Sequence, residues 1–332
     1  MSWRSLPSKS PLFLFLFFFL VILFVTSIWP QISSNVDIGP EGQRKGAVKY
    51  PELKPHYEEL EKMTQQNPAV NMSAIVPPFH RLEQAILVTP KYKLATCLIE
   101  KVMSTVRDGI FCYLTNTTEF LEHNRTISTE YWTTRFCNNQ FLYYDLDTAL
   151  EDYNHNLTLF SVIRHPIDRF LSGYVDKCIN EKHYFKKEKR CFGCKEDMRC
   201  FVERLHKNLF EYYTNTTKNS SITYYYVRHF APQTWYCNFK EHKNDYILVD
   251  YHTGPKGVEM TAREFDKIFE QVQVPAEMRA LIQSEMLKGT SKHSTAHSET
   301  RKKVQEQLLS DDYLMRLLML LYYHDFVEFG FR

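Results

Sequence analysis

Residues 157–177 read LTLFSVIRHPIDRFLSGYVDK, and this stretch decides the fold. Leu157–Ile163 is an apolar run of strand length that stops at Arg164-His165-Pro166. Such a run suits a buried strand, and Pro166 falls where a helix tolerates proline, at its first position, because that N–H has no helical partner anyway. Beyond it Ile167, Phe170, Leu171, Tyr174 and Val175 fall on one side of a helix at about 100° per residue, with Arg169, Ser172 and Asp176 pointing elsewhere. The unit is a strand, a cationic turn and a helix.

Working outward, the same order is expected near residue 81, where the folded region begins. Ala85–Val88 is a short apolar run closed by Thr89-Pro90, and Thr96–Val106 sets Leu98, Ile99, Val102, Met103 and Val106 on one helical face. Tyr246–Val249 reads as a third strand, and Ala262–Gln273, Ala276–Leu287 and Val304–Phe326 as amphipathic helices. Strands alternating with helices predict an α/β domain with a mainly parallel central sheet flanked by helices, its ligands at the carboxyl ends of the strands.

The composition fits a globular chain: 332 residues, 44% hydrophobic and 24% charged. Forty-one Lys and Arg against 39 Asp and Glu leave a net charge of +2, which gives no case for a nucleic-acid partner and makes any anion site local. Leu12–Trp29 carries no charge, follows Arg4 and Lys9, and precedes the first acid, Asp37. That pattern predicts a transmembrane signal-anchor over 12–29, a cytosolic tail over 1–11, a proline-rich lumenal stem over 30–80 and the folded domain over 81–332. The apolar length favours an anchor over a cleaved signal peptide. Six N-x-[ST] sequons, at Asn71, Asn116, Asn124, Asn156, Asn215 and Asn219, all lie beyond the anchor. So do all eight cysteines, which in an oxidising compartment form up to four disulfides of open connectivity. Cys191-x-x-Cys194 lacks a second CxxC pair and is not assigned a metal.

Both strand-to-helix turns carry anion-binding chemistry. Pro90, Lys91, Lys93 and Thr96 follow the first strand, with Thr96 at the expected helix start, where free N–H groups favour a phosphate or sulfate. No GxxxxGK[ST] loop is present. Arg164 closes the second strand, and Ser172 lies eight residues on, a pairing that holds a phosphate by charge and hydroxyl.

These residues resemble a known family. VTPKYKLATCLIEKVM (88–103) is similar to the 5′-phosphosulfate loop of Golgi carbohydrate sulfotransferases, and FSVIRHPIDRFLSGYVDK (160–177) to their 3′-phosphate motif R-x-P-x-x-R-x-x-S-x-[FY]. The resemblance is closest to the chondroitin 4-sulfotransferase and HNK-1 sulfotransferase group with its nematode-type members, and is looser at Arg228-His229-Phe230-Ala231-Pro232-Gln233. It implies a P-loop-like fold, a single-pass type II Golgi membrane protein, and 3′-phosphoadenosine 5′-phosphosulfate (PAPS) as sulfuryl donor without a metal. By the same resemblance Lys91 contacts the phosphosulfate, with Lys93 its rival for the leaving oxygen, Thr96 helps cradle it, and Arg164 and Ser172 hold the 3′-phosphate. The chain departs from the family's PK-x-G-[CS]-[ST] form by a longer loop without its Gly, and His165 replaces the usual acid of the second motif.

Sulfuryl transfer needs a base for the acceptor hydroxyl, and the resemblance, in which a histidine before Pro-Gln recurs, makes His229 the first candidate, ahead of His123, Glu130, His293 and His297. The implied acceptor is an anionic glycosaminoglycan of chondroitin type, which the basic run Lys182–Arg190 would steer electrostatically. Ser291–Ser298 with Arg301, Lys302 and Lys303 either closes over the nucleotide or merely connects helices. Two other readings stay open: a lumenal glycosyltransferase with Asp145 and Asp147 as a DxD site, and a non-catalytic glycan-binding ectodomain.

Overall fold

The computed structural model describes residues 75–131, 133–214, 220–252, 256–288 and 298–331. The expected tail, anchor and most of the stem lie outside the described residues, as do Asn71, Asn215, Asn219, His293 and His297. Among the described residues no helix is long and apolar enough to cross a membrane.

Among the described residues five strands form one sheet: β1 (Ile86–Thr89), β2 (Leu94–Cys97), β3 (Leu142–Tyr143), β4 (Thr158–Ile163) and β5 (Tyr246–Asp250), in the order β3-β1-β2-β4-β5. β2, β4 and β5 run parallel, whereas β1 pairs antiparallel with both β2 and β3. The expectation of a mainly parallel sheet is thus corrected: the sheet is mixed, and helices flank it. The difference arises at residues 94–97, which form a strand where a helix is expected to start at Thr96. All four are buried, so the run shows no alternation and its periodicity cannot tell strand from helix. The hairpin joining β1 to β2 turns through Pro90–Tyr92, and Lys93 (φ +48°) closes it by donating its N–H to the Pro90 carbonyl, 3.2 Å away. No Asn-Gly or Asp-Gly announces it.

The longer helices are α1 (Ser104–Thr115), α2 (Leu146–Asp152), α3 (Pro166–Tyr174), α4 (Met198–Thr214), α5 (Ser221–Phe230), α6 (Gly257–Gln271), α7 (Ala276–Leu287), α8 (Glu299–Leu309) and α9 (Asp312–Phe329). α3 begins at Pro166 as its sequence requires, and every one of its residues is buried, under α5, α8 and α9. Its neighbours leave no room at Gly173, where a Cβ would stand 2.8 Å from the Phe230 ring. Packing reaches upstream of residue 81: Ile75 and Val76 are buried, and the Val76 N–H meets the Leu320 carbonyl at 3.0 Å.

The eight cysteines form four disulfides, Cys97–Cys237, Cys112–Cys137, Cys178–Cys191 and Cys194–Cys200. Cys97 ends β2, so its bridge fixes the point where the chain leaves the sheet. The register pairs Cys97 with Ser161 and Ile163 with Asp250. The segments that leave β2, β4 and β5 therefore meet along one edge, where open α/β sheets bind ligands.

Candidate active site

A cleft of about 930 Å³ opens along that edge. Its walls come from the segment after β2 (Glu100–Met103), the start of α1 (Ser104–Val106), Arg164, Ser172, residues 176–184, α5 and Tyr251.

The segment after β2 bends through two left-handed residues, Lys101 (φ +66°) and Met103 (φ +55°), and α1 starts without a side-chain cap. The first N–H groups of α1 have no helical acceptor, and Ser104, Thr105 and Val106 line the cleft, so the positive end of α1 is turned to the cleft, where it favours an anion. Beneath this bend the buried Arg107 donates to the carbonyls of Cys97 (2.6 Å) and Val102 (3.0 Å) and to the Thr96 hydroxyl (3.0 Å). Lys101 Nζ reaches Asp176 Oδ2 at 2.8 Å, and Lys177 approaches the same oxygen at 3.2 Å. Burial alone would raise the Asp176 carboxyl, yet the two ammonium groups outweigh it and hold the pKa at about 2. Burial likewise pulls the Lys101 pKa below its ordinary value, against the attraction of Asp176.

Arg164 stands beside the bend. Its Nη1 donates to the Lys101 carbonyl at 3.1 Å, and its guanidinium lies 4.5 Å from the centre of the Tyr251 ring. The Gln233 side chain clamps the Arg164 backbone from both sides, accepting its N–H at 2.9 Å and donating to its carbonyl at 2.8 Å. Gln233 is in turn fixed by its own N–H to the buried Asp325 at 2.7 Å. Arg164 Nε is buried with no protein partner among the described residues, which an anion in the cleft would supply. Ser172 lies nearby on α3 and lines the cleft with 8% exposure. A π-helical turn, Val175–Asn180, continues α3 and sets Asp176, Lys177 and Asn180 in the cleft wall.

On α5, Arg228 pairs with Glu100, with Nε 2.8 Å from Oε1. Burial works to raise the Glu100 carboxyl, but His229 and Arg228 prevail and keep it at about 2. His229 Nδ1 lies 2.6 Å from the Tyr225 carbonyl, and burial pushes the ring's pKa down to about 4. The neutral ring therefore donates from Nδ1 and carries its lone pair on Nε2.

The structure brings Arg164, Ser172 and His229 into one cleft and leaves the other expected site residues out. Thr96 does not open a helix; it is buried within β2 and takes the hydrogen bond from Arg107. Lys91 and Lys93 are exposed on the hairpin turn at the opposite edge of the sheet. The Lys93 carbonyl accepts the Thr158 N–H at the start of β4, so the length of that strand, about 20 Å at ~3.3 Å per residue, separates it from Arg164. The residue that stands with Arg164 is Lys101. Glu100-Lys101-Val102-Met103-Ser104-Thr105 has the spacing PK-x-G-[CS]-[ST], with Met103 in the left-handed conformation at the Gly position. Arg169 was also missed as a site-builder: it spans the site's base, donating to the carbonyls of Glu100 (2.9 Å) and Ala231 (2.6 Å).

The rival bases His123 and Glu130 do not line the cleft. His123 meets the Glu119 carbonyl of its own helix, and Glu130 takes hydrogen bonds from Arg125 and the Phe136 N–H. Asp145 caps α2 through the Thr148 N–H (2.9 Å), and both Asp145 and Asp147 pair with Arg81 outside the cleft. Of the basic run, Lys182, His183 and Tyr184 line the cleft, Lys186, Lys187 and Lys189 are exposed, and Arg190 is buried against Glu196.

A cleft that gathers a lysine, a helix start, an arginine and a serine is suited to an anionic ligand. The profile of the Sulfotransferase family matches residues 84–332, and the chain belongs to that family. It is 28% identical to carbohydrate sulfotransferase chst-1 of Caenorhabditis elegans over 80% of this chain and 81% of that protein. Protein C18B2.2 of the same organism is 32% identical over 77% of this chain and 72% of its own length. No solved structure matches it.

Proposed function

We propose that the chain transfers a sulfuryl group from PAPS to a carbohydrate hydroxyl, the acceptor being an anionic glycosaminoglycan of chondroitin type. It works in the Golgi lumen as a single-pass type II membrane protein. The observation that carries this reading is the meeting of Lys101 and the α1 start with Arg164 and Ser172 in one cleft. The acceptor class rests on the name of chst-1, the motif resemblance and the basic rim at Lys182 and His183.

Bound PAPS would supply the transferable group. Arg164 and Ser172 hold the 3′-phosphate, and the buried Nε of Arg164 gains its missing acceptor. Lys101 and the N–H groups at the start of α1 neutralise charge on the leaving oxygen, where fixed donors act most strongly in a partly desolvated site. Lys177 stays on Asp176 when Lys101 turns to the ligand. His229 takes the acceptor proton at Nε2 while the Tyr225 carbonyl holds Nδ1–H and fixes the ring.

Labelled PAPS incubated with desulfated chondroitin, dermatan and heparan tests the reading: transfer to chondroitin without added metal is expected, and no transfer to any glycan overturns it. The pH profile tests the base. Because burial disfavours the imidazolium, His229 stays neutral well below its usual range, so kcat/KM is expected to hold as pH falls and to drop only near 4. His229→Gln should lower the rate and abolish that acid limb; a variant retaining the limb assigns it to another group.

A further inference from the structure

We infer that Tyr184 is a stacking platform for a sugar ring of the acceptor, an inference that rests on the transfer reading above. Of the large apolar side chains most exposed among the described residues, Tyr184, at 62%, is the one that lines the cleft. One face of its ring lies against Tyr225, with centroids 4.8 Å apart and planes 20° from parallel. Phe185 meets its edge at 4.8 Å. Two rings thus support Tyr184 while much of its surface stays open to solvent, which costs hydration unless a ligand covers it.

The support is rigid. The Tyr225 hydroxyl donates to Glu181, and Lys177 Nζ lies 5.4 Å from the Tyr225 ring centre. Tyr184 itself sits in the loop that the Cys178–Cys191 disulfide closes. Such a platform presents a flat apolar face whose geometry is set before the ligand arrives.

Position and charge name the occupant. Tyr225 contacts His229, with ring centroids 4.5 Å apart, so Tyr184 stands two ring spacings from the proposed base. A pyranose laid on the open side of Tyr184 leaves a sugar further along the same chain to reach His229. Lys182 and His183 flank the ring at the cleft wall and suit the carboxylate of an acidic sugar rather than a neutral chain. Arg164, the residue proposed for the donor's 3′-phosphate, has a different ring beside it, Tyr251, which follows β5.

The test compares the full-length protein with Tyr184→Ala and Tyr184→Trp by calorimetry, using an unsulfated chondroitin hexasaccharide and, separately, 3′,5′-ADP. Tyr184 is exposed, so neither change threatens the core. In Tyr184→Ala the hexasaccharide Kd is expected to rise about tenfold, in Tyr184→Trp to recover, and the 3′,5′-ADP Kd to stay constant in both. Unchanged hexasaccharide affinity in Tyr184→Ala overturns the platform, and so does a loss of 3′,5′-ADP affinity instead, which places the ring on the donor. A wild-type protein that binds 3′,5′-ADP but no hexasaccharide removes the platform and keeps the donor site. One that binds hexasaccharide through Tyr184 but not 3′,5′-ADP keeps the platform and removes the sulfuryl-transfer reading.

Discussion

Replacing Lys101 with alanine is expected to lower kcat by about 10²- to 10³-fold, the cost of removing one fixed donor from a site of developing negative charge. Lys101 is the cation that shares the bend after β2 with the start of α1, and its carbonyl accepts a hydrogen bond from Arg164, so the backbone that carries Lys101 is tied to the proposed 3′-phosphate residue. The fold should survive, because Asp176 retains Lys177 at 3.2 Å and is not left bare in a buried place. Thermal unfolding of the variant checks that. Lys91→Ala serves as the companion measurement: exposed on the hairpin turn at the far edge of the sheet, it should change neither rate nor stability. Near-normal turnover in Lys101→Ala, or a collapse in Lys91→Ala, would reverse the assignment of the leaving-group cation.

The second large effect concerns Arg164 and is read on nucleotides rather than turnover. Wild-type protein should prefer 3′,5′-ADP over 5′-AMP, because the 3′-phosphate meets a buried guanidinium with an unused Nε. In Arg164→Ala that preference should shrink by about 10- to 100-fold, the range for losing charge-assisted hydrogen bonds of roughly 1.5–3 kcal/mol, while 5′-AMP affinity changes little. Arg164→Lys should not rescue it, since the guanidinium, 4.5 Å from the centre of the Tyr251 ring, offers a planar fork of paired N–H donors that an ammonium cannot reproduce. A variant that still prefers 3′,5′-ADP as strongly as wild type would move the 3′-phosphate elsewhere.

The two halves of the site were unequally legible in the amino-acid sequence. Around Arg164 the reading is local: an apolar run, a proline at the first helical position and a helix phase are each written in neighbouring residues, and β4 and α3 follow them. Around Lys101 it is not. Residues 94–97 are buried on every side, the hairpin turn lacks the usual glycine, and Ile99 and Val102 are buried in an irregular segment that mimics helical spacing. With a helix expected to start at Thr96, inside β2, the first anion site falls at Lys91, although the spacing at Glu100–Thr105 is present. Arg107, Arg169, Gln233 and Asp325 build the site from distant parts of the chain, and only the fold brings their hydrogen bonds to one place.

The Cys97–Cys237 bridge joins residues 140 positions apart. On the ribosome, then, Cys97 emerges long before its mate exists, with Cys112, Cys137, Cys178, Cys191, Cys194 and Cys200 all arriving in between. The nascent thiol must stay unpaired, or be released from a wrong partner by exchange, until nearly three-quarters of the polypeptide has been made. Closure of the sheet end from which β2 leaves is consequently a late event in the synthesis of this enzyme.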